Sequence, residues 1–267
     1  MKNILLLVHK DAGQEARLQA ALDLTRALKG HLTCLDVVQV YSVDSDFQAA
    51  YAQSVMFTGE QAREAKNRER IEARLANEDV PWNWLDATGD IAIALKDAAG
   101  MADLIVVNRE LDDAFLPDMR AIAGEVTISS GRAVVAVPQH GRGFQVDGRA
   151  LVAWDGSAEA QNALHSALPL LRLARDVTIF EIKDHAVEKP AEEAASYLAR
   201  HDISALIVRR RAGITPTAAM LLTEAATEKA SYIVMGGFGH SRFVEAVFGG
   251  VTREMLGESP VPLVLAH

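Results

Sequence analysis

Short unbroken apolar runs alternate along this chain with longer stretches in which alanine and leucine recur among polar residues. Asn3 to Val8 is such a run, and an Ala/Leu-rich stretch from about Gln14 to Leu28 follows it. Read this way, strands are expected near 3–8, 31–38, 82–87, 103–107 and 133–137, then 150–154, 177–183, 204–209, 232–236 and 262–265, with four helices in each set. Strand, helix, strand repeated in this order predicts parallel sheets covered on both faces. The expected fold is α/β, with two tandem doubly wound five-stranded domains of Rossmann-like type.

The second five elements repeat the first. Arg149 to Trp154 restarts the succession begun at Asn3, and a helix from about Ala158 to Leu173 answers the one from Gln14. Ala21 and Leu22 fall on Ala167 and Leu168. Later landmarks pair Gly89 with Gly213, Val107 with Met235, and Gly124–Thr127 with Gly249–Thr252. The offset between counterparts falls from 146 to between 124 and 128, so about 22 additional residues belong to the first half, placed here around Tyr41 to Gly59. Pro138 to Gly148, with three glycines, breaks any regular element and marks the junction between domains 1–140 and 149–267.

Composition narrows the partners. The 267 residues carry 27 Lys+Arg against 36 Asp+Glu, a net charge of −9, with 49% hydrophobic residues. Such a chain can close a core, and its acidity disfavours a polynucleotide partner. Apolar runs such as Ile4–Val8 fall far short of the ~20 residues that cross a bilayer, and no secretory leader is evident. A cytoplasmic protein without membrane contact is expected. Cys34, the single cysteine, reads as a buried strand residue. The eight histidines show no metal-ligand spacing, so no metal site is expected. Nothing resembles a nucleophile elbow, and no residue is an evident general base.

The pattern that carries chemistry follows the strand at 232–236. Gly236 and Gly239 are followed nine residues later by Gly249-Gly250-Val251-Thr252 opening a helix, a G-x-x-G-x9-G-G-V-T arrangement. Glycines let backbone amides turn inward as an anion nest, and a helix N-terminus adds positive potential. The plainer reading is that these are turn glycines. A Walker lysine is absent, and Arg242 stands where the dinucleotide fingerprint has its third glycine, which disfavours a P-loop NTPase and a dehydrogenase.

With Val152–Ser157 as a first-strand ending and Val261–Leu265 as a last strand, the motif resembles that of the universal stress protein family, and both halves fit a tandem member. The resemblance implies a stress-response protein that binds ATP, with or without Mg²⁺, at the carboxyl edge of the second sheet and acts as a regulatory switch. It is at most a slow ATPase. One half would stand in for the partner subunit of a homodimer, and whether whole chains pair again stays open, as does the identity of a protein partner. Matched positions would be Asp155 on the adenosine portion, Ile182 meeting the base through its main chain, and Met235 lining the base pocket. Gly236, Gly239, Gly249, Gly250, Val251 and Thr252 would surround the phosphates. Asp155 also suits an Asx turn, with Ser157 as a helix cap. Two departures are Gly250 in place of Ser or Thr, and Phe238 where a polar residue is usual. The alternative is an interaction or small-ligand protein with decayed nucleotide sites; an adenine-nucleotide hydrolase ranks behind it.

The first half departs further. His9 occupies the place of Asp155, and Asn108 to Asp113 brings Glu110, Asp112 and Asp113 where a glycine pair is expected; only Gly124–Thr127 survives of the loop. This half reads as degenerate, structural or regulatory. Arg209–Arg211 ends a strand on the ligand side and reads as a solvated strand end or an anion contact. Trp82 and Trp84 face one side of their strand, as core or helix contacts, with an apolar cavity beneath 41–59 as the other reading. His240, next to Gly239, reads as an exposed loop histidine, with a phosphate contact as the other reading.

Overall fold

A computed structural model describes residues 1–39, 47–111, 117–183, 189–211, 213–239 and 250–267. Strands β1 (Asn3–Val8), β2 (His31–Gln39), β3 (Trp82–Gly89), β4 (Leu104–Asn108) and β5 (Ala133–Val137) alternate with helices α1 (Gln14–Leu28), α2 (Phe47–Leu75), α3 (Ile91–Ala98) and α4 (Met119–Ser129). The second half repeats the plan with β6 (Arg149–Trp154), α5 (Ala158–Leu171), β7 (Asp176–Lys183), α6 (Ala191–Ala199), β8 (Ala205–Arg211), α7 (Thr217–Thr227), β9 (Tyr232–Gly236), α8 (Gly250–Glu258) and β10 (Leu263–Ala266). Each strand lies where its apolar run predicts, with ends shifted by two residues or fewer.

The two five-stranded sheets are joined edge to edge into one ten-stranded sheet of order β3-β2-β1-β4-β5-β10-β9-β6-β7-β8. Every pair is parallel except β5 with β10, where Ala136 faces Leu263 and Val134 faces Leu265. These two strands are buried along their whole length. Pairing them hides two apolar edges that would otherwise recruit another chain. The antiparallel seam points the carboxyl ends of β1–β5 and β6–β10 to opposite margins of the sheet.

Side chains alternate between two cores. Ile4, Leu6 and Val8 pack with α1 on one face, while Leu5 and Leu7 pack with α3 and α4 on the other. Both cores run through the seam into the second half. Residues 138–148 form no helix or strand, yet Phe144 and Val146 are buried there; Phe144 packs on Tyr232 with ring centroids 4.9 Å apart. Its amide donates to Asp23 Oδ2 at 3.0 Å.

The additional residues of the first half lie in a helix. α2 has 29 residues where its counterpart α6 has nine, and the connections leading into the two helices are equally long. Of the proposed extra segment, 41–46 lies outside the described residues. Lengthening the helix carries Glu60 and Glu64 over the end of β1. Further along α2, the Arg68 guanidinium lies 5.1 Å from the Trp84 ring centre, which makes the helix the neighbour of that tryptophan. Cys34 is fully buried on β2, and burial first, then the Asp36 and Glu72 carboxylates, push its thiol up to about 12.

Candidate functional site

In the second half β6 lies between β7 and β9, so the chain leaves it in opposite directions and a crevice opens at its carboxyl end. A cavity of about 400 Å³ occupies this place. Asp155, Ile182, Met235, Gly236, Gly239, Gly250, Val251 and Thr252 all line it. Gly249, the remaining matched position, lies outside the described residues, as do His240 and Arg242.

Local geometry explains most of these placements. Asp155 Oδ1 accepts hydrogen bonds from the Ser157 amide (3.0 Å) and hydroxyl (2.6 Å), while Ser157 Oγ accepts from the Ala160 amide (3.1 Å) and caps α5. The Asx-turn reading therefore holds for Oδ1. Oδ2 has no hydrogen bond among the described residues, and the side chain is exposed at the cleft. The β6–β7 pairing ends at Trp154 and Glu181, whereas β7 continues beside β8 to Lys183. The edge of β7 at Ile182 is thus left open towards the cleft.

Gly236 is required by close approach: a Cβ there would stand 2.7 Å from the Ala160 amide nitrogen. At Gly250, where α8 begins, a Cβ would meet nothing within 4 Å among the described residues. Thr252 Oγ1 accepts from the Phe238 amide at 3.3 Å, closing the turn after β9. Phe238 takes φ 63° and is buried in the core beneath α8; it does not line the cavity. This departure from the motif consequently leaves the cleft unchanged.

Eight further residues line the cleft, and four of them bear on its chemistry. Phe180 and Leu221 supply buried apolar floor, and Thr217 a hydroxyl at the rim. Glu159, in the first turn of α5, brings a carboxylate: a Cβ on Gly239 would lie 2.8 Å from its Oε2. Its signal was its place in the first turn of the helix that follows the matched Asp155.

The first half fills the corresponding place. The fully buried Arg17 donates from Nε to the Leu7 carbonyl (3.0 Å) and from Nη2 to the His9 carbonyl (2.9 Å). Its Nη1 pairs with the buried Asp11 at 2.9 Å and also hydrogen-bonds Asn108 Oδ1. Gly124–Thr127 lies inside α4, whose N-terminus is capped six residues earlier by Asp118 through the Arg120 and Ala121 amides. The expected remnant of a phosphate loop is therefore helix interior. Glu110 pairs with Arg109 and Arg120, while Asp112 and Asp113 lie outside the described residues. Arg109 reaches across the seam and donates to the Leu256 and Gly257 carbonyls at the end of α8, at 2.7 and 2.5 Å.

The arginines at the end of β8 are largely committed within the chain. Arg209 pairs with the buried Glu181 at 2.5 Å and with Glu192, and Arg210 pairs with Glu224 at 3.2 Å. Glu181 also accepts from the Ala191 amide at the start of α6.

Fold and cleft together define a doubly wound α/β protein of two fused halves, with a ligand crevice at the switch point of the second. Residues 148–267 match the model of the universal stress protein family. The match makes the second half, 120 of the 267 residues, a universal stress protein domain. No curated protein matches the chain. Among solved structures, a universal stress protein from Archaeoglobus fulgidus is similar over 99% of this chain and 95% of its own, with TM-score 0.74 and 16% identity. A putative universal stress protein from Pseudomonas aeruginosa UCBPP-PA14 covers 100% of this chain and 93% of its own, with TM-score 0.60 and 15% identity. These likenesses extend the shared fold to the first half. No helix among the described residues is long and apolar enough to cross a membrane.

Proposed function

We propose that the second half binds ATP or a closely related adenine nucleotide at the carboxyl edge of β6 and β9, and that nucleotide shifts the protein between states with different affinity for a protein partner. The convergence of eight motif positions on one cavity of about 400 Å³ carries this reading. That volume is within the usual range for small-molecule sites. Phe180, Leu221 and Met235 suit a flat base, and Asp155 Oδ2 suits an amine or ribose hydroxyl. Amides opening α8 suit phosphate.

Glu159 alone would repel phosphate, so the charge balance favours uptake with Mg²⁺, which one carboxylate and phosphate oxygens can hold together. The same carboxylate supports the second reading, a ligand with less negative charge. Calorimetry of the full chain with ATP, AMP and adenosine, with and without Mg²⁺, separates the two. The expected result is Mg²⁺-dependent ATP binding in the wild type and its loss in a Gly239→Val, Gly249→Val double variant. Equal ATP binding by both proteins would overturn the site assignment, and binding of adenosine alone would favour the second reading.

A further inference from the structure

His9, Glu60 and Glu64 meet at the carboxyl end of β1, on the margin of the sheet opposite the nucleotide cleft, with one potential ligand atom from each lying within 4.8 Å of the others. His9 and Glu64 are each 1% exposed and Glu60 11%. The His9 Nδ1 lies 3.2 Å from Glu64 Oε1 and 4.0 Å from Glu60 Oε1, yet neither ring nitrogen has a hydrogen-bond partner among the described residues. Burying an imidazole with both nitrogens unpaired, beside two carboxylates, is costly unless a cation completes the group.

We infer that His9, Glu60 and Glu64 form a binding site for a divalent first-row transition cation such as Zn²⁺ or Mn²⁺. One imidazole nitrogen and two carboxylate oxygens suit that class, and Zn–N and Zn–O bonds of about 2.0–2.2 Å in a tetrahedral site place donors roughly 3.3 Å apart. Small side-chain movements bring the three donors to that spacing. Glu60 and Glu64 are one helical turn apart on α2 and present themselves on one face. The Lys10 amide donates to Glu64 Oε1 at 3.0 Å and Asn67 Nδ2 to Oε2 at 3.1 Å; Asn67 is itself paired with Gln14. Such outer partners fix a ligand carboxylate's orientation. A further buried carboxylate oxygen, Asp36 Oδ1 on β2, in register with Val8, has no hydrogen bond among the described residues. Arg63, 41% exposed, pairs with Glu60 Oε1 at 2.5 Å and stands 3.9 Å from Glu64 Oε1, so an incoming cation must displace its guanidinium. The cation would pin the long helix α2 to the sheet, and the site is independent of the nucleotide reading.

The competing occupant is a proton on His9, giving an imidazolium between the two glutamates. The test uses the full chain, stripped with a chelator and free of nucleotide, titrated with Zn²⁺, Mn²⁺ and Co²⁺ by calorimetry and thermal melting. Elemental analysis follows desalting, and the Co²⁺ complex is read by visible absorption. The expected outcome is one ion per chain, a raised melting temperature, and ligand-field bands for Co²⁺. Glu60→Gln, at the rim and conservative in shape, should fold as the wild type and bind at least tenfold more weakly. His9→Gln should abolish the Co²⁺ bands. The inference is overturned if none of the three ions binds stoichiometrically or raises the melting temperature. It is overturned equally if folded Glu60→Gln retains wild-type affinity, or if His9 titrates as an imidazolium unaffected by any metal.

Discussion

Asn108 stands against Gly13 in the first half as Gly236 stands against Glu159 in the second. A Cβ on Gly13 would lie 2.5 Å from Asn108 Oδ1, and a Cβ on Gly236 2.7 Å from the Glu159 carbonyl carbon. Both contacts join the end of the fourth strand of a half to the start of its first helix, and each needs one glycine. The glycine sits on opposite sides of the contact. In the second half the strand end is bare and the crevice stays open; in the first half the amide of Asn108 enters and Arg17 closes over it.

Gly13→Ala and Gly236→Ala should each lower stability by about 1–3 kcal/mol, because both overpack a site with no slack. Their effects on ligand binding should differ. Gly236→Ala pushes on the cleft and should weaken nucleotide binding, whereas Gly13→Ala should leave it unchanged. Urea denaturation and calorimetry on the two variants check this, and nucleotide stoichiometry of one per chain follows from the same asymmetry.

Arg17 is the cation that fills the first half. Arg17→Ala strands the buried Asp11 carboxylate and removes bonds to two backbone carbonyls. A loss on the order of 3–5 kcal/mol is expected. Arg17→Ala with Asp11→Ala should cost less than the sum of the single losses, since the stranded charge is gone. A double-mutant cycle read by chemical denaturation measures that coupling.

The strands were legible because parallel strands buried on both faces are apolar runs, and β1, β4 and β5 are runs of five or six residues, too short for a typical helix. The cleft was legible where backbone needs glycine or a capping side chain, as at Gly236, Asp155 and Ser157. Glu159 and Phe180 were not, because their role comes from tertiary placement rather than a motif. The His9, Glu60 and Glu64 cluster was invisible for the same reason: α2 brings its glutamates to a histidine more than fifty positions away. The Gly124–Thr127 match misled because shared residues do not fix where a helix starts; Asp118 caps α4 and carries those residues into its interior.

Cys34 gives the pH dependence a definite sign. Burial pushes its native thiol up to about 12, against an ordinary value near 9.0. From about pH 9 upwards the unfolded chain releases a proton that the native state keeps, so stability falls as pH rises through that window. Below it the effect vanishes. Urea denaturation at pH 8 and pH 10 should show a steeper alkaline loss for the wild type than for Cys34→Ala. At pH 8 a disulfide reagent should label Cys34 only on unfolding.

Gly250 offers the sharpest separation of phosphate binding from folding. A Cβ there, at the first residue of α8 and on the wall of the cleft, would meet nothing within 4 Å among the described residues. An aspartate in the first turn of a helix favours the helix by about 0.3–1 kcal/mol through the dipole. Gly250→Asp should therefore melt at or slightly above the wild-type temperature. Any ligand phosphate at the α8 amides would now meet a carboxylate, so ATP affinity should drop at least tenfold while adenosine affinity stays nearly constant. Calorimetry of both ligands on the variant decides the matter: undiminished ATP binding in a normally folded Gly250→Asp would place the phosphates elsewhere.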